Sequence, residues 1–284
     1  MNNLDKNLFD VLNYVIGKWK SFLFISLSFS FLVLIFSLFI DDYYSSEVRL
    51  AAADVEDAQS TSSSLISSLP SGIGGLMGEN DAVIEAKEII FSRDFFKRLV
   101  AYPHIYKGLL EPNSYEVPAD RMDYISLRTN EDIEMDSKFY RAMSQYKKNI
   151  EFIDALDSKY YTIRFTHNDP YFAKDITDLI VYELNDRKKE KDIQEAQDAI
   201  IFLAEKINNV SNAEVRGSIS RLIELQLKRE MIASMRDEYL ATVIDQPAQP
   251  IKKSGPLRDI IFIVSFIIST FLLIPIYAFQ FVRK

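Results

Sequence analysis

Two long apolar runs lie near the ends of the chain, and they constrain its fold more than any other feature. Residues 260–282 contain no charged side chain, and residues 21–40 contain no charged residue, Gly or Pro. At a rise of about 1.5 Å per residue, helices of this length cross the hydrocarbon layer of a bilayer, which is about 30 Å thick. The sequence therefore predicts two transmembrane helices, at 21–40 and 260–282.

The charges that flank the two runs predict the orientation of the chain. The short terminal segments hold five basic residues against two acidic ones, namely Lys6, Lys18, Lys20, Arg283 and Lys284 against Asp5 and Asp10. An excess of Lys and Arg in short segments beside a span marks the cytoplasmic side. We therefore expect residues 1–20 and 283–284 to be cytoplasmic and residues 41–259 to form one domain on the outer side.

Each run also has another interpretation. The first could be a cleaved signal peptide, but it exceeds the usual apolar length of about 7–15 residues, and no small-x-small cleavage site follows it. The second contains Pro275 and Gln280 and could be a buried helix of a soluble protein, although a run this long is rarely that. Residues 1–20 could form an amphipathic helix at the interface or simply begin the first span.

The composition leaves few side chains for chemistry. The chain has no Cys, and its only two His residues, His104 and His167, lie far apart in sequence. Disulfides, thiol catalysis and cysteine metal sites are thereby excluded, and a histidine zinc site is disfavoured. The net charge of −8 gives no basic footprint for nucleic acid. We expect no catalytic residue, no cofactor and no metal.

Alternating apolar residues predict three strands in the outer domain. Val48, Leu50 and Ala52 alternate in the first, residues 160–167 alternate in the second, and residues 239–245 suggest a third. Period-two alternation with aromatic and β-branched residues is typical of half-buried strands. We expect the three to form one sheet close to the membrane.

The segment between the first two predicted strands contains three stretches of different composition. Residues 58–80 are rich in Ser and Gly and predict a mobile loop. Residues 81–102 predict one helix, capped by Asp81 and ended by Pro103. Residues 104–150 are polar and predict one or two helices. The apolar face of the helix at 81–102 is expected to run through Ile84, Ile89 or Ile90, Phe95 or Phe96, and Leu99.

A long helix is the strongest prediction within the outer domain. Asp169 as N-cap and Pro170 at the first helical position form its start, and no breaker follows until Asn208. About 40 helical residues span roughly 60 Å and are expected to project from a compact core. The charged stretch at 185–192 indicates a solvated helix. A heptad seam that requires a partner helix follows at Ile193, Ala196, Ile200, Leu203, Ile207 and Val210.

A second helix is predicted to return along the first. Ser211 and Glu214 form a capping box at its start. One side is expected to carry Ile219, Leu222, Ile223, Leu227 and Met231. The two helices form a hairpin or crossover, a stalk at about 169–245, whose remaining apolar surface could pack against an identical subunit.

Two further patterns concern the spans. Pro247, Pro250 and Pro256 keep residues 247–256 extended, either as a spacer or to position the final span. Small residues four apart let membrane helices approach closely. The serines at this spacing are Ser26 with Ser30 and Ser265 with Ser269, which predicts that the two spans touch.

The order of these parts resembles the polysaccharide co-polymerases of the Wzz type, the chain-length determinants of the Gram-negative inner membrane. The similar segments are the strand EVRLAAADV, the helix AKEIIFSRDFFKRLV, the helix start DPYFAKDITDLI, and RLIELQLKREMIASMRDEYLATVIDQPAQP before the second span. The proline-rich segment before that span is the most specific, and Pro247 and Pro250 match it. Residues 254–256, SGP, depart from the more usual Ser-Pro-Lys.

The resemblance implies a membrane protein in which two transmembrane helices flank a periplasmic α/β (α+β) base domain with long protruding helices. It also implies a ring of identical subunits that works with a glycan polymerase in the inner membrane on a lipid-linked polysaccharide, such as O-antigen. The chain has no Walker motif, so we expect no fused kinase.

Other functions are weighed against this one. An adaptor for capsule or exopolysaccharide export has a similar layout, and a taller coiled coil would favour it. A membrane-anchored sensor is disfavoured by the short terminal segments. An enzyme of the periplasm is disfavoured because no nucleophile is arranged with a base.

Overall fold

The computed structural model describes residues 17, 19–52, 79–112, 115, 128–129, 133–154 and 160–283. It divides into two compact units, which are the two chain ends up to Tyr43 and from Lys252, and the body from Tyr44 to Ile251. The predictions for residues 1–16 and for the loop up to residue 78 lie outside the described residues. The fold class predicted from the sequence, two apolar helices flanking an α/β body with long helices, is confirmed.

The terminal unit consists of helices α1 (Trp19–Ser37) and α8 (Arg258–Arg283), both long and apolar enough to cross a membrane. Phe24, Phe36 and Phe271 on these helices are 65–71% exposed. A helix in a soluble core would bury such side chains, so their exposure favours a lipid environment over a protein interior. The helix α1 ends three residues before the predicted Ile40, because residues 38–40 turn with bonds to carbonyls three residues earlier.

A four-stranded antiparallel sheet forms one layer of the body. Its strands are β1 (Tyr44–Ala52), β2 (Ile150–Asp154), β3 (Tyr160–His167) and β4 (Ala241–Asp245), in the order β2-β3-β1-β4. Val48 lies opposite Ile163 in the register of β1 and β3. The three predicted strands thus share one sheet, and β2 is a strand that the sequence patterns did not indicate.

Short helices cover the sheet, and the first two differ from the prediction. The helix predicted at 81–102 is two helices, α2 (Glu79–Phe91) and α3 (Arg93–Leu99). Ser92 interrupts it, because the Ser92 hydroxyl accepts the Phe95 N–H at 3.1 Å and caps α3. Asp81 lies inside α2 and is not its cap. The buried face of α2 is Val83, Ala86 and Ile90, whereas Ile84 is exposed.

Two more helices follow in the region predicted to hold one or two. The helix α4 (Pro103–Leu110) begins at Pro103, which therefore starts a helix as well as ending the previous one. The helix α5 (Ser137–Asn149) is capped by Asp136, whose carboxylate accepts the Phe139 N–H at 2.8 Å. In the core, the Phe96 ring packs against Phe139 and Tyr146, with centroid distances of 5.1 and 5.3 Å.

The predicted long helix is α6 (Pro170–Asn208), with 39 residues. Its first half does not project, because Phe172, Ile176, Leu179, Ile180 and Leu184 are buried in the core. The second half is largely exposed and pairs with α7 (Ala213–Met235), which returns along it. The cap of α7 is Asn212 and not Ser211, because the Asn212 side chain accepts the N–H of Glu214 and of Val215.

Candidate functional site

Among the described residues, no group of His, Asp or Glu is arranged to hold a metal ion. Three features connect the long helices to their surroundings: the contact between α1 and α8, the polar row on α6, and the pair formed by α6 and α7.

Hydroxyl groups join α1 to α8. The Ser26 hydroxyl lies 2.6 Å from that of Ser269 and 2.9 Å from that of Thr270, and it donates to the Phe266 carbonyl at 3.2 Å. Ser30 and Ser265 are also buried, and each donates to a carbonyl of its own helix. In a bilayer these bonds satisfy polar groups that lipid cannot, and the small side chains let the helices approach.

The hydroxyl of Thr270 was missing from the serine pattern. Thr270 follows Ser269 in sequence, and both hydroxyls lie within hydrogen-bond distance of the Ser26 hydroxyl. Thr270 donates to the Phe266 carbonyl at 2.7 Å. The residues four positions away on either side are Phe266 and Ile274, so the small-residue spacing does not mark Thr270 in the sequence.

A short contact, which we call the clasp, joins the chain just after α1 to the chain just before α8. The Tyr43 N–H donates to the Gly255 carbonyl at 2.9 Å, and the Ser254 N–H donates to the Tyr43 carbonyl at 2.8 Å. The Asp42 carboxylate pairs with Lys253 at 3.3 Å and with Arg258 at 2.9 Å. The clasp thus holds the two segments side by side.

The three prolines lie in the non-helical stretch before α8. Pro247 and Pro250 belong to residues 246–250, which have no regular structure, and Pro256 follows Gly255 of the clasp. The Ala248 carbonyl accepts a bond from the Ser46 hydroxyl at 3.1 Å. That bond attaches the segment to β1, and the role of the prolines in positioning α8 stays a prediction.

The N-terminus of α6 is built as its sequence signals indicate. The Asp169 carboxylate accepts the N–H of Tyr171 at 2.8 Å and of Phe172 at 2.9 Å, and Pro170 occupies the first turn. A cap of this kind satisfies two of the N–H groups that a helix start leaves unpaired.

A row of buried polar side chains follows on α6. The Glu183 carboxylate is fully buried and accepts bonds from Arg98 at 2.5 Å and from the Tyr102 hydroxyl at 2.7 Å. Burial, together with the bond to Glu183, raises the pKa of Tyr102 far above its ordinary range. Burial also raises the pKa of Asp186, aided by the nearby Glu190 carboxylate. These contacts fix α3 and the chain after it on α6.

The row continues toward the pair of helices. The Asn185 side chain accepts the N–H of Leu240 and of Ala241 and donates to the Ala241 carbonyl, so it holds the start of β4. Asp192 is 4% exposed and accepts bonds from Arg229 at 2.9 Å and from the Tyr239 hydroxyl at 2.8 Å. The stretch predicted as solvated at 185–192 is therefore partly buried, and it connects α6 to α7 and to the start of β4 within the body.

The predicted heptad seam occupies the side of α6 that faces α7. Ala196 is buried, and the other predicted positions are half-buried, namely Ile193, Ile200, Leu203, Ile207 and Val210. Val210 lies beyond the end of α6 at Asn208. The Gln197 side chain bonds Glu230 across the pair at 2.7 Å.

The predicted apolar side of α7 only partly faces α6. Ile219, Leu222 and Ile223 are half-buried, whereas Leu227 is 44% and Met231 61% exposed. Side chains four residues apart advance by about 40° around a helix of 3.6 residues per turn. A row at this spacing therefore starts beside α6 and turns into solvent. Leu227, Met231 and Met235, the last 80% exposed, form what we call the apolar stripe of α7.

Comparisons with known proteins give matches among solved structures. No protein-family model and no curated relative matches the sequence. Among solved structures, the chain is similar to a full-length bacterial polysaccharide co-polymerase, with 12% identity, a TM-score of 0.36 and coverage of 96% of this chain and 97% of that one. At this identity and TM-score, the similarity says nothing about activity.

Proposed function

We propose that the protein is a non-enzymatic regulator of polysaccharide chain length, an oligomeric co-polymerase that acts with a glycan polymerase in the inner membrane of a Gram-negative bacterium. The observation that carries this proposal is the arrangement of the chain. Its two apolar end helices bond to each other through Ser26 and Ser269, and the chain between them forms an α/β body from which a pair of long helices extends. The polysaccharide is the O-antigen of lipopolysaccharide or a related surface glycan.

The proposed orientation places both chain termini in the cytoplasm and the body in the periplasm. Its support is the excess of Lys and Arg in the two terminal segments. The body then lies on the side where lipid-linked glycans are polymerised in the proposed process.

Association of identical subunits is the second element of the proposal. The apolar stripe of α7 exposes Leu227, Met231 and Met235 at four-residue spacing. Contiguous exposed apolar side chains mark interaction surfaces in soluble domains. We assign a second copy of this chain as the partner, and contacts between different faces of neighbouring copies close into a ring when the rotation between them allows it. Ring geometry then sets how many repeat units the polymerase adds.

Deletion of the gene tests the function, with electrophoresis of surface polysaccharide as the measurement. We expect glycan to remain while its length distribution changes, and the distribution to return when the intact gene is supplied. Complete loss of surface glycan would instead indicate an export adaptor. An unchanged ladder of lengths for every surface glycan would contradict both functions.

Charged substitutions in the apolar stripe test the association. We expect Leu227→Asp with Met231→Asp to reduce the molecular mass of the detergent-solubilised protein to that of smaller assemblies and to alter glycan length. Both side chains are exposed, so the fold of the single subunit should persist. Ser220→Asp, at another exposed position of α7, is the matched control and should change neither property. A double variant of normal mass would refute the stripe as the interface.

A further inference from the structure

The two histidines of the chain meet in one aromatic cluster, although they lie far apart in sequence. The centroid of the His104 ring is 6.5 Å from that of Tyr115, and Tyr115 is 5.0 Å from Phe172. Phe172 in turn is 4.2 Å from the His167 ring. The cluster fills the space where α4 and the end of β3 meet the first turn of α6.

His167 holds this junction through a bond that requires a neutral ring. It is the last residue of β3, is 4% exposed, and accepts the Asp169 N–H on Nδ1 at 3.1 Å. Asp169 is the residue that caps α6. Because a neutral imidazole has one acceptor nitrogen, its proton must lie on Nε2. A proton on Nδ1 would face the Asp169 N–H and abolish the bond.

The surroundings of the ring decide how readily that proton is taken up. Burial lowers the pKa of His167, and the Gly108 backbone of α4 and the Asp169 carboxylate oppose this only in part. Phe172 faces the ring from α6, and Tyr44 lies opposite His167 on β1. Burial also lowers the pKa of His104, against the pull of the Asp175 carboxylate.

We propose that His167 is a proton-sensitive latch between β3 and α6, in which uptake of a proton at mildly acidic pH breaks the bond to Asp169 and releases the first turn of α6. The latch is a property of the body alone and does not depend on the proposed function. Its consequence is that acid loosens the attachment of the helix that extends into the pair with α7.

The direction of the pH effect follows from linkage. The open state takes up the proton with the ordinary histidine pKa of about 6.5, and the closed state with a lower one. The stabilisation of the closed state is therefore complete above about pH 6.5 and is lost as the pH falls through the lowered pKa. Between the pKa of the closed state and that of the open state, the equilibrium constant for opening rises about tenfold for each unit by which the pH falls.

Hydrogen exchange of the full chain in lipid nanodiscs measures this opening. The quantity to follow is the protection factor, the intrinsic exchange rate at each pH divided by the measured rate. For the amides of Tyr171, Phe172 and Ala173, we expect the protection factor to fall about tenfold for each unit of decreasing pH between the two pKa values. The amides of α7 at 219–231 serve as an internal reference and should keep a constant protection factor.

Two variants separate His167 from His104. In His167→Asn, the side-chain oxygen can accept the Asp169 N–H but takes up no proton, so the protection factor should become independent of pH. His104→Gln should retain the wild-type pH dependence. The opposite pattern, with pH dependence lost only in His104→Gln, would overturn the proposal. If the first-turn amides of His167→Asn lack protection even at pH 7.5, the test rests on the wild-type protein. A wild-type protection factor that stays constant from pH 7.5 to 5 would then reject the latch.

Discussion

At the scale of single residues, Gly108 allows a close approach between α4 and α6. Gly108 is buried, and a Cβ added there would overlap the ring of Phe172. The absence of a side chain at this position therefore allows Phe172 to enter the cluster with His167 and Tyr115. Gly217 on α7 is different, because a Cβ added there would meet nothing within 4 Å.

The two glycines give opposite predictions for the same substitution. Gly108→Ala should lower the free energy of unfolding of the body by about 1–3 kcal/mol, because the added methyl group overpacks the core against Phe172. Gly217→Ala, the matched control, should raise it by about 0.5–1 kcal/mol, because Ala is favoured over Gly in a helix. Urea denaturation measures both values, and a Gly108→Ala variant as stable as Gly217→Ala would contradict the predicted overlap.

At the scale of elements, the seam between α6 and α7 holds the pair together. Leu203 and Ile207 are half-buried within it, whereas Ala204 and Asn208, one residue further on, are exposed. The seam residues therefore exclude water from the pair, while their neighbours contribute little to it. Charge on the seam is costly because a carboxylate there loses its hydration.

The seam predicts a difference between two double variants of equal charge. Leu203→Asp with Ile207→Asp should separate α6 from α7, and limited proteolysis should then cut within residues 196–230. Ala204→Asp with Asn208→Asp carries the same two charges at the same spacing and should remain resistant. Equal resistance of both double variants would show that the seam does not hold the pair.

Capping residues and residue spacing within a short stretch of sequence predicted the elements that depend only on neighbouring residues. Asp169 with Pro170 indicated the start of α6, and the heptad spacing indicated the seam. The break at Ser92 was missed because the helical pattern of apolar residues continues across it. The strand β2 was missed because its five residues follow α5 without a turn signal.

The buried polar row was missed for a different reason. Asn185, Lys188 and Asp192 belong to a charged stretch that has the composition of a solvated helix, yet all three are buried. Their partners include Glu85, Arg229 and Ala241, which are distant in sequence. No periodicity within α6 contains that information, because burial of a charge depends on a partner supplied by tertiary structure.

At the scale of the whole molecule, the proposed topology, with two membrane helices and a periplasmic body, has a direct test. The sequence contains no Cys, so a single introduced thiol is unique. Ser220 is exposed on α7, and a maleimide that cannot cross membranes should label a Ser220→Cys variant on intact spheroplasts. An Asn3→Cys variant should react only after the membrane is permeabilised. Labelling in the reverse order would contradict the proposed orientation.

The clasp has a consequence for the unfolded chain. Tyr43 lies just before the body and Gly255 shortly after it, and the two residues bond to each other. The helices beyond them in the chain bond through Ser26 and Ser269. Where the helix pair stays assembled in lipid while the body unfolds, the two ends of the body stay tethered, and the unfolded chain is then a closed loop with fewer conformations than a free chain. Secreted proteins commonly obtain this restriction from a disulfide. In this sequence without cysteine, a pair of helices held in lipid would impose the same restriction.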